Sequence, residues 1–335
     1  MSDPVVVGTP RIAGVDIARG VAILGMFVAH TMPRDGDGEL LVDGRSSILF
    51  AALAGVSLGL LSGGEEPPAR GARGAIRRVV LVRALFVFLL GVLLATLGSE
   101  IAIILDYYAV MFLLLLPLLF LPRVALAVIA AVLLFAAPAL ARQVAPGDDV
   151  VRSAIELARE YLLTGAYPAL VWLPVLIAGL IAARSGLLRR RTQVWMILGG
   201  SAAAVAGYGG AAVLPDVTAA AHSSSTAEML GSGGTAIAVI GLLVFATTGD
   251  GAARAVRVAL WPLGATGSLA LTVYTAQIVV LAMVAGARDA GGPDYPGWPL
   301  LIGLAVASIL GASLWRYAFG RGPMERLMAL ASGRR

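Results

Sequence analysis

The chain has 335 residues, 59% of them hydrophobic and only 13% charged, with a mean hydropathy of +0.89. That composition excludes a soluble globule and leaves an all-α, polytopic membrane protein. With 25 basic and 20 acidic side chains, no cysteine and two histidines, disulfides, thiolate nucleophiles, zinc–thiolate centres and histidine-rich metal sites are excluded as well.

Taken in order, the apolar runs predict about ten transmembrane helices, near 12–32, 46–62, 79–98, 101–120, 124–142, 168–184, 194–214, 233–249, 267–286 and 299–318. No soluble stretch between them is large enough to fold separately, so a single transmembrane domain over residues 1–335 is expected. The first run lacks a basic region before it and is interrupted by Asp16 and Arg19, which reads as an uncleaved helix and not a signal peptide.

That first helix carries its polar groups on one stripe. At about 100° per residue, Asp16, Arg19 and His30 fall within roughly 60° of each other. Ionisable groups are costly in hydrocarbon, so the stripe should face protein or a water-filled cavity. Asp16 and His30 are about 21 Å apart along the helix, which sets the acid and base at one end and the histidine at the other.

Threading the spans alternately puts most arginines on one side. With the amino end inside, all but Arg34, Arg45, Arg142, Arg152, Arg159 and Arg288 lie at cytoplasmic segments. Acids such as Glu39, Asp43, Glu100, Asp148, Asp149, Glu156 and Glu228 fall on the other side. Both termini are then cytoplasmic, and the tail from about 319 to 335 is a cytoplasmic segment. His30 and His222 both face outward. Between the fifth and sixth spans, residues 148–163 place Val151, Ile155, Ala158 and Leu162 on one face, behind acids suited to a helix start. This predicts an outer interfacial helix that either lies on the bilayer or roofs a cavity.

Several segments carry a resemblance. Arg11-Ile12, Asp16, Arg19-Gly20, Ala22 and Leu24-Gly25-Met26 are spaced as in the opening of the heparan-α-glucosaminide N-acetyltransferase-like membrane proteins. Asp-x-x-Arg with a histidine fourteen residues after the acid resembles the first helix of the acyltransferase-3 family. Gly267-Ser268-Leu269-Ala270-Leu271-Thr272-Val273-Tyr274-Thr275-Ala276-Gln277 and the ending Phe319-Gly320-Arg321-Gly322-Pro323-Met324-Glu325 resemble segments of the YeiB-like family. This resemblance to a transmembrane acyltransferase superfamily implies transfer of an acyl group, typically acetyl, from acetyl-CoA or another acyl-CoA on the cytoplasmic side. The acceptor would be a hydroxyl or amine of an envelope glycan or small sugar on the far side. The resemblance maps the essential first-helix histidine onto His30. The loop from Thr31 to Asp43 has no histidine to match the one that the heparan enzyme carries there.

Read from the residues alone, His30 suits a general base, since imidazole is largely neutral near pH 7 and can take a proton from an attacking hydroxyl. The other reading is a polar helix end bonded to water or a carbonyl. Asp16 and Arg19 either pair with each other or, with Arg83, hold the phosphates of the donor. Asp106, near the start of the fourth span, needs a partner, for which Arg45, Arg83 and His30 are candidates; contact with His30 would orient the base. On this reading Asp106 and Arg45 join His30 as catalytic residues, and His222, Tyr108 and Gln277 contact the acceptor. Gly231-Ser232-Gly233-Gly234, read as a helix start, would offer backbone N–H groups to an oxyanion beside His30.

Two other classes fit the same features. A secondary transporter would also set Asp106, Glu100, Arg83 and Gln277 within or beside the membrane, with spans broken near Gly207–Gly210 and Gly231–Gly234. A non-catalytic envelope assembly protein would need none of these groups in register. No metal and no nucleic acid are expected, the lipid bilayer is the expected partner, and oligomerisation is left open. All-arginine basic usage with abundant Ala, Gly and Val points to a bacterial plasma (inner) membrane as the location.

Overall fold

The computed structural model describes residues 11–32, 39–144, 153–292 and 297–333, and every regular element among them is helical. The helices are α1 (Ala13–Thr31), α2 (Arg45–Leu61), α3 (Arg73–Ala95), α4 (Leu105–Leu115), α5 (Arg123–Gln143), α6 (Ala154–Arg159), α7 (Ala169–Arg184), α8 (Arg190–Val213), α9 (Thr226–Thr247), α10 (Ala252–Ala259), α11 (Trp261–Ser268), α12 (Ala270–Asp289), α13 (Gly297–Phe319) and α14 (Pro323–Ala331). Seven of them, α1, α3, α5, α8, α9, α12 and α13, are long and apolar enough to cross a bilayer, and α6 with α7 makes an eighth if the pair is one span bent by 48°. The apolar α2 and α4 are shorter; at 1.5 Å per residue α4 rises about 17 Å, well under the thickness of a hydrocarbon core.

Burial sorts these helices into a centre and a ring. More than half of the apolar window of α1 and half of that of α9 are buried, against 17% in α5 and α8 and 11% in α13. α7 is buried along nearly its whole length, with Trp172, Leu176, Ile177 and Leu180 wholly enclosed. The weakly buried helices carry rows of exposed Leu, Val and Phe, which is what a lipid-facing ring requires.

Small residues let the central backbones touch. A Cβ on Gly55 of α2 would run into the carbonyl of Leu176, and one on Gly179 of α7 into that of Ala52, so the two helices pack at main-chain distance. Four further glycines close the seam between α8 and α9: Gly200 and Gly207 face Gly234 and Gly231. This corrects the expectation of a glycine-led helix start. α9 begins at Thr226, capped by Ser225, whose hydroxyl accepts the N–H of Glu228 at 2.9 Å. Gly231 to Gly234 therefore lie inside the helix, where their N–H groups serve the helix itself. α8 is likewise unbroken through Gly207 to Gly210.

The predicted outer helix is α6, continued by a π-helical turn over Glu160–Thr164; its first expected residues, including Asp148 and Asp149, lie outside the described residues. The segment is tied to the bundle at Tyr161, which packs on Phe88 and Tyr107. The tail is also structured: α14 packs against α12 and α3.

Candidate functional site

α1 borders two cavities, and Met26 is a wall of both. The larger, about 550 Å³, opens among Arg11, Asp16, Arg19, Arg83, Arg316, Arg321 and Glu325 and extends past Phe50, Leu53 and Phe112 to Tyr108 and Met26. The smaller, about 240 Å³, is lined by His30, Glu39, Asp43, Ser46, Ser47, Tyr167 and His222. The predicted stripe of α1 thus serves two chambers, Asp16 and Arg19 in one and His30 in the other.

The larger cavity is built where three separate stretches of sequence meet. Asp16 pairs with Arg19 at 2.6 Å and with Arg11 at 3.5 Å, and Arg19 also donates to the Ser57 hydroxyl at 2.7 Å. Arg11 reaches the carbonyl of Ser268 at 3.1 Å. Gly267 lies so close to Asp16 and Gly20 that a Cβ would collide with their backbone, which seats α11 on α1. From the tail, Glu325 accepts the N–H groups of Leu271 and Thr272 at 2.8 and 3.2 Å and the Thr272 hydroxyl at 2.5 Å. It covers the start of α12, where unpaired N–H groups favour a carboxylate. The three motifs that carry the family resemblance therefore form one contiguous rim. The three residues expected to hold a donor, Asp16, Arg19 and Arg83, all line it.

In the smaller chamber, His30 Nδ1 lies 2.8 Å from the side-chain amide nitrogen of Gln277 on α12. Tyr274, one turn earlier, lines the larger cavity, so α12 forms part of the larger chamber's wall and, through Gln277, holds the histidine of the smaller one. His222 lies across the chamber, with Nδ1 3.2 Å from the carbonyl of Ala166 and its ring against Tyr167 and Trp172. Its loop is held from below by Glu228, which is fully buried. Glu228 accepts the N–H of His222 at 2.7 Å and of Ser224 at 2.8 Å, and the Ser223 hydroxyl at 3.3 Å. His222 and Ser224 have φ of 59° and 53°, a left-handed conformation that is strained for residues with a Cβ. Glu39 adds a second anchor by accepting the N–H of Ala221 at 2.8 Å.

The remaining expected residues lie elsewhere. Tyr108 stands between the chambers, lining the larger one while its hydroxyl donates to the Ser47 carbonyl at 2.9 Å. Asp106 lines neither chamber; its partner is Tyr161, whose hydroxyl donates at 2.8 Å, and not Arg45, Arg83 or His30. Arg45 sits beside the smaller chamber, donating to the Tyr208 hydroxyl at 2.9 Å and 4.0 Å from Glu39.

Sequence reading missed Glu228 as a site residue, although Ser225-x-x-Glu228 before an apolar run is the signature of a capping box, in which the acid folds back on the chain before the helix. It also missed Arg316, whose place at the rim depends on how α13 packs.

Among the described residues no cluster of three or more His, Asp or Glu could hold a metal ion. A family model described as "Protein of unknown function (DUF418)" matches residues 180–334. That stretch contains Gly267 to Gln277 and Gly322 to Glu325, and excludes Asp16, Arg19 and His30. No curated protein matches the chain.

Proposed function

We propose that the protein is a membrane acyltransferase that moves an acyl group from a cytoplasmic acyl-CoA donor to a sugar hydroxyl or amine on the outer side of a bacterial plasma membrane. The observation that carries this reading is the pair of chambers back to back on Met26, one rimmed by arginines and the other holding His30. The arginine bias of the loops orients the larger chamber to the cytoplasm and both termini inward.

The residues fit a phosphorylated thioester donor: guanidinium groups recognise phosphates, and five arginines line the inner chamber. In the outer chamber, His30 is the base. With the Gln277 amide turned so that its oxygen accepts from Nδ1–H, Nε2 is left to take the proton of the acceptor hydroxyl. The oxygen then attacks the thioester carbonyl, the carbon–sulfur bond breaks, and His30 returns the proton to the departing thiolate. An ester and a free thiol result; an amine acceptor yields an amide by the same sequence. Tyr167 and His222 supply the aromatic faces and Glu39 and Asp43 the acceptors that suit a sugar.

The test uses purified protein in proteoliposomes, with labelled acyl-CoA outside the face bearing the arginine rim and a sugar acceptor on the other. Thiol release should accompany acylation of the sugar, and His30→Ala should lower both by about 10²-fold or more. Undiminished activity in His30→Ala overturns the reading. Passage of an intact solute with no thiol release does so too, and favours the transporter.

A further inference from the structure

The inner chamber has an excess of positive charge at its rim. Asp16 is engaged by Arg11 and Arg19, and both oxygens of Glu325 are engaged by the start of α12. Arg316 and Arg321 also line the chamber, and the side chain of neither makes a hydrogen bond or ion pair among the described residues. With five arginines against Asp16 and Glu325, the chamber keeps a net positive charge for an anion to meet, even though Asp16 acts on both Arg11 and Arg316.

Beyond the rim the character reverses. Phe50, Leu53, Ala54, Leu105 and Phe112 form the walls, and the hydroxyls among them are already bonded within the protein. Ser57 donates to the Leu53 carbonyl at 2.5 Å and Tyr108 to that of Ser47 at 2.9 Å, while the Tyr274 oxygen accepts the N–H of Ile104 at 3.4 Å. An alkyl chain entering this region gives up no hydrogen bonds and gains apolar contact with the walls. At about 550 Å³ the chamber has the volume of a site for a sizeable molecule, and a two-carbon group would leave most of its apolar wall uncovered.

We propose that the inner chamber binds an anionic amphiphile, with a phosphate-bearing head at Arg11, Arg316 and Arg321 and an apolar chain lying along Phe50, Leu53 and Phe112. Two sources offer that chemistry: a long-chain acyl thioester of a phosphorylated carrier, or a phosphate-headed lipid of the bilayer. Joined to the acyl transfer proposed above, on which this second step rests, the first source makes the transferred group a long acyl chain in place of acetyl.

Native mass spectrometry of protein released from zwitterionic nanodiscs tests this, with acetyl-CoA, palmitoyl-CoA and phosphatidic acid as probes. Palmitoyl-CoA should be retained at concentrations at least about ten-fold below those needed for acetyl-CoA, because each buried methylene adds affinity. Leu53→Trp should abolish that preference, and Ala54→Leu, a smaller intrusion suited to the case where the first variant does not fold, should reduce it. Arg316→Gln combined with Arg321→Gln should weaken every probe. Retention of phosphatidic acid alone supports the amphiphile site and removes the acyl-CoA donor. Equal retention of acetyl-CoA and palmitoyl-CoA, a preference untouched by both wall variants, or no retention of any probe overturns the inference; acetyl transfer persisting in that case leaves the acyltransferase standing.

Discussion

The carboxylate of Glu325 meets Thr272 through both the backbone N–H and the hydroxyl, so the last helix of the chain closes the first turn of α12. Glu325→Ala leaves the N–H groups of Leu271 and Thr272 without acceptors, at a cost of about 1–3 kcal/mol. Thermal unfolding in detergent should drop by several degrees, with Glu325→Gln recovering part of the loss through its remaining oxygen. An unchanged midpoint for Glu325→Ala shows that α14 is not docked this way.

His30 and Gln277 provide a finer test of the base. Gln277→Glu keeps an oxygen for Nδ1–H, whereas Gln277→Leu removes it. Transfer should therefore fall further in the leucine variant than in the glutamate variant, while both bind the donor as wild type does, since Gln277 does not line the inner chamber. The reverse order of activities rules out the assigned tautomer.

Glu228 acts on the outer chamber through the loop above it. Glu228→Ala should cost about 1–3 kcal/mol of stability by leaving the His222 and Ser224 N–H groups without their acceptor. It should also weaken acceptor binding, read as a rise in the acceptor KM, more than donor binding. A variant equal to wild type in both respects removes Glu228 from any positioning role.

Glycines in the same helical fold should respond in opposite senses. Gly286, in α12, has nothing near a would-be Cβ, whereas Gly267 faces the backbone of Asp16 and Gly20. Gly286→Ala should be neutral or stabilising by up to about 1 kcal/mol; Gly267→Ala must push α11 off α1 and should cost more than about 2 kcal/mol. Thermal unfolding of the two proteins side by side decides it, and equal effects refute the close packing at Gly267.

What was legible beforehand follows from the range of the interactions. Asp16, Arg19 and His30 share one helix, so periodicity alone placed them on a stripe. Asp16 and Arg19 also find each other there, but the partner of His30 lies elsewhere: Gln277 is 247 residues away, and no local pattern announces such a contact. Gly231-Ser232-Gly233-Gly234 resembles a turn because glycine is usually conformational punctuation, yet here it is a packing surface against α8. Asp106 was recognised as a carboxylate in need of a partner. Its partner Tyr161 lies in the π-helical turn ahead of the bend between α6 and α7, a placement no local pattern gives, whereas Arg45, Arg83 and His30 stand out in the sequence as ionisable groups.

Met26, a wall of both cavities, bears on electrical insulation. If the two chambers open to opposite compartments, the membrane potential drops largely across the layer between them, at about 2.3 kcal/mol per elementary charge per 100 mV. A neutral acyl group can pass it without electrical work, while a phosphate head held at the arginine rim never enters the field. The same layer must keep protons and ions from leaking between compartments. Met26→Gly, which thins it, should raise the passive ion conductance of proteoliposomes even where the protein does no chemistry.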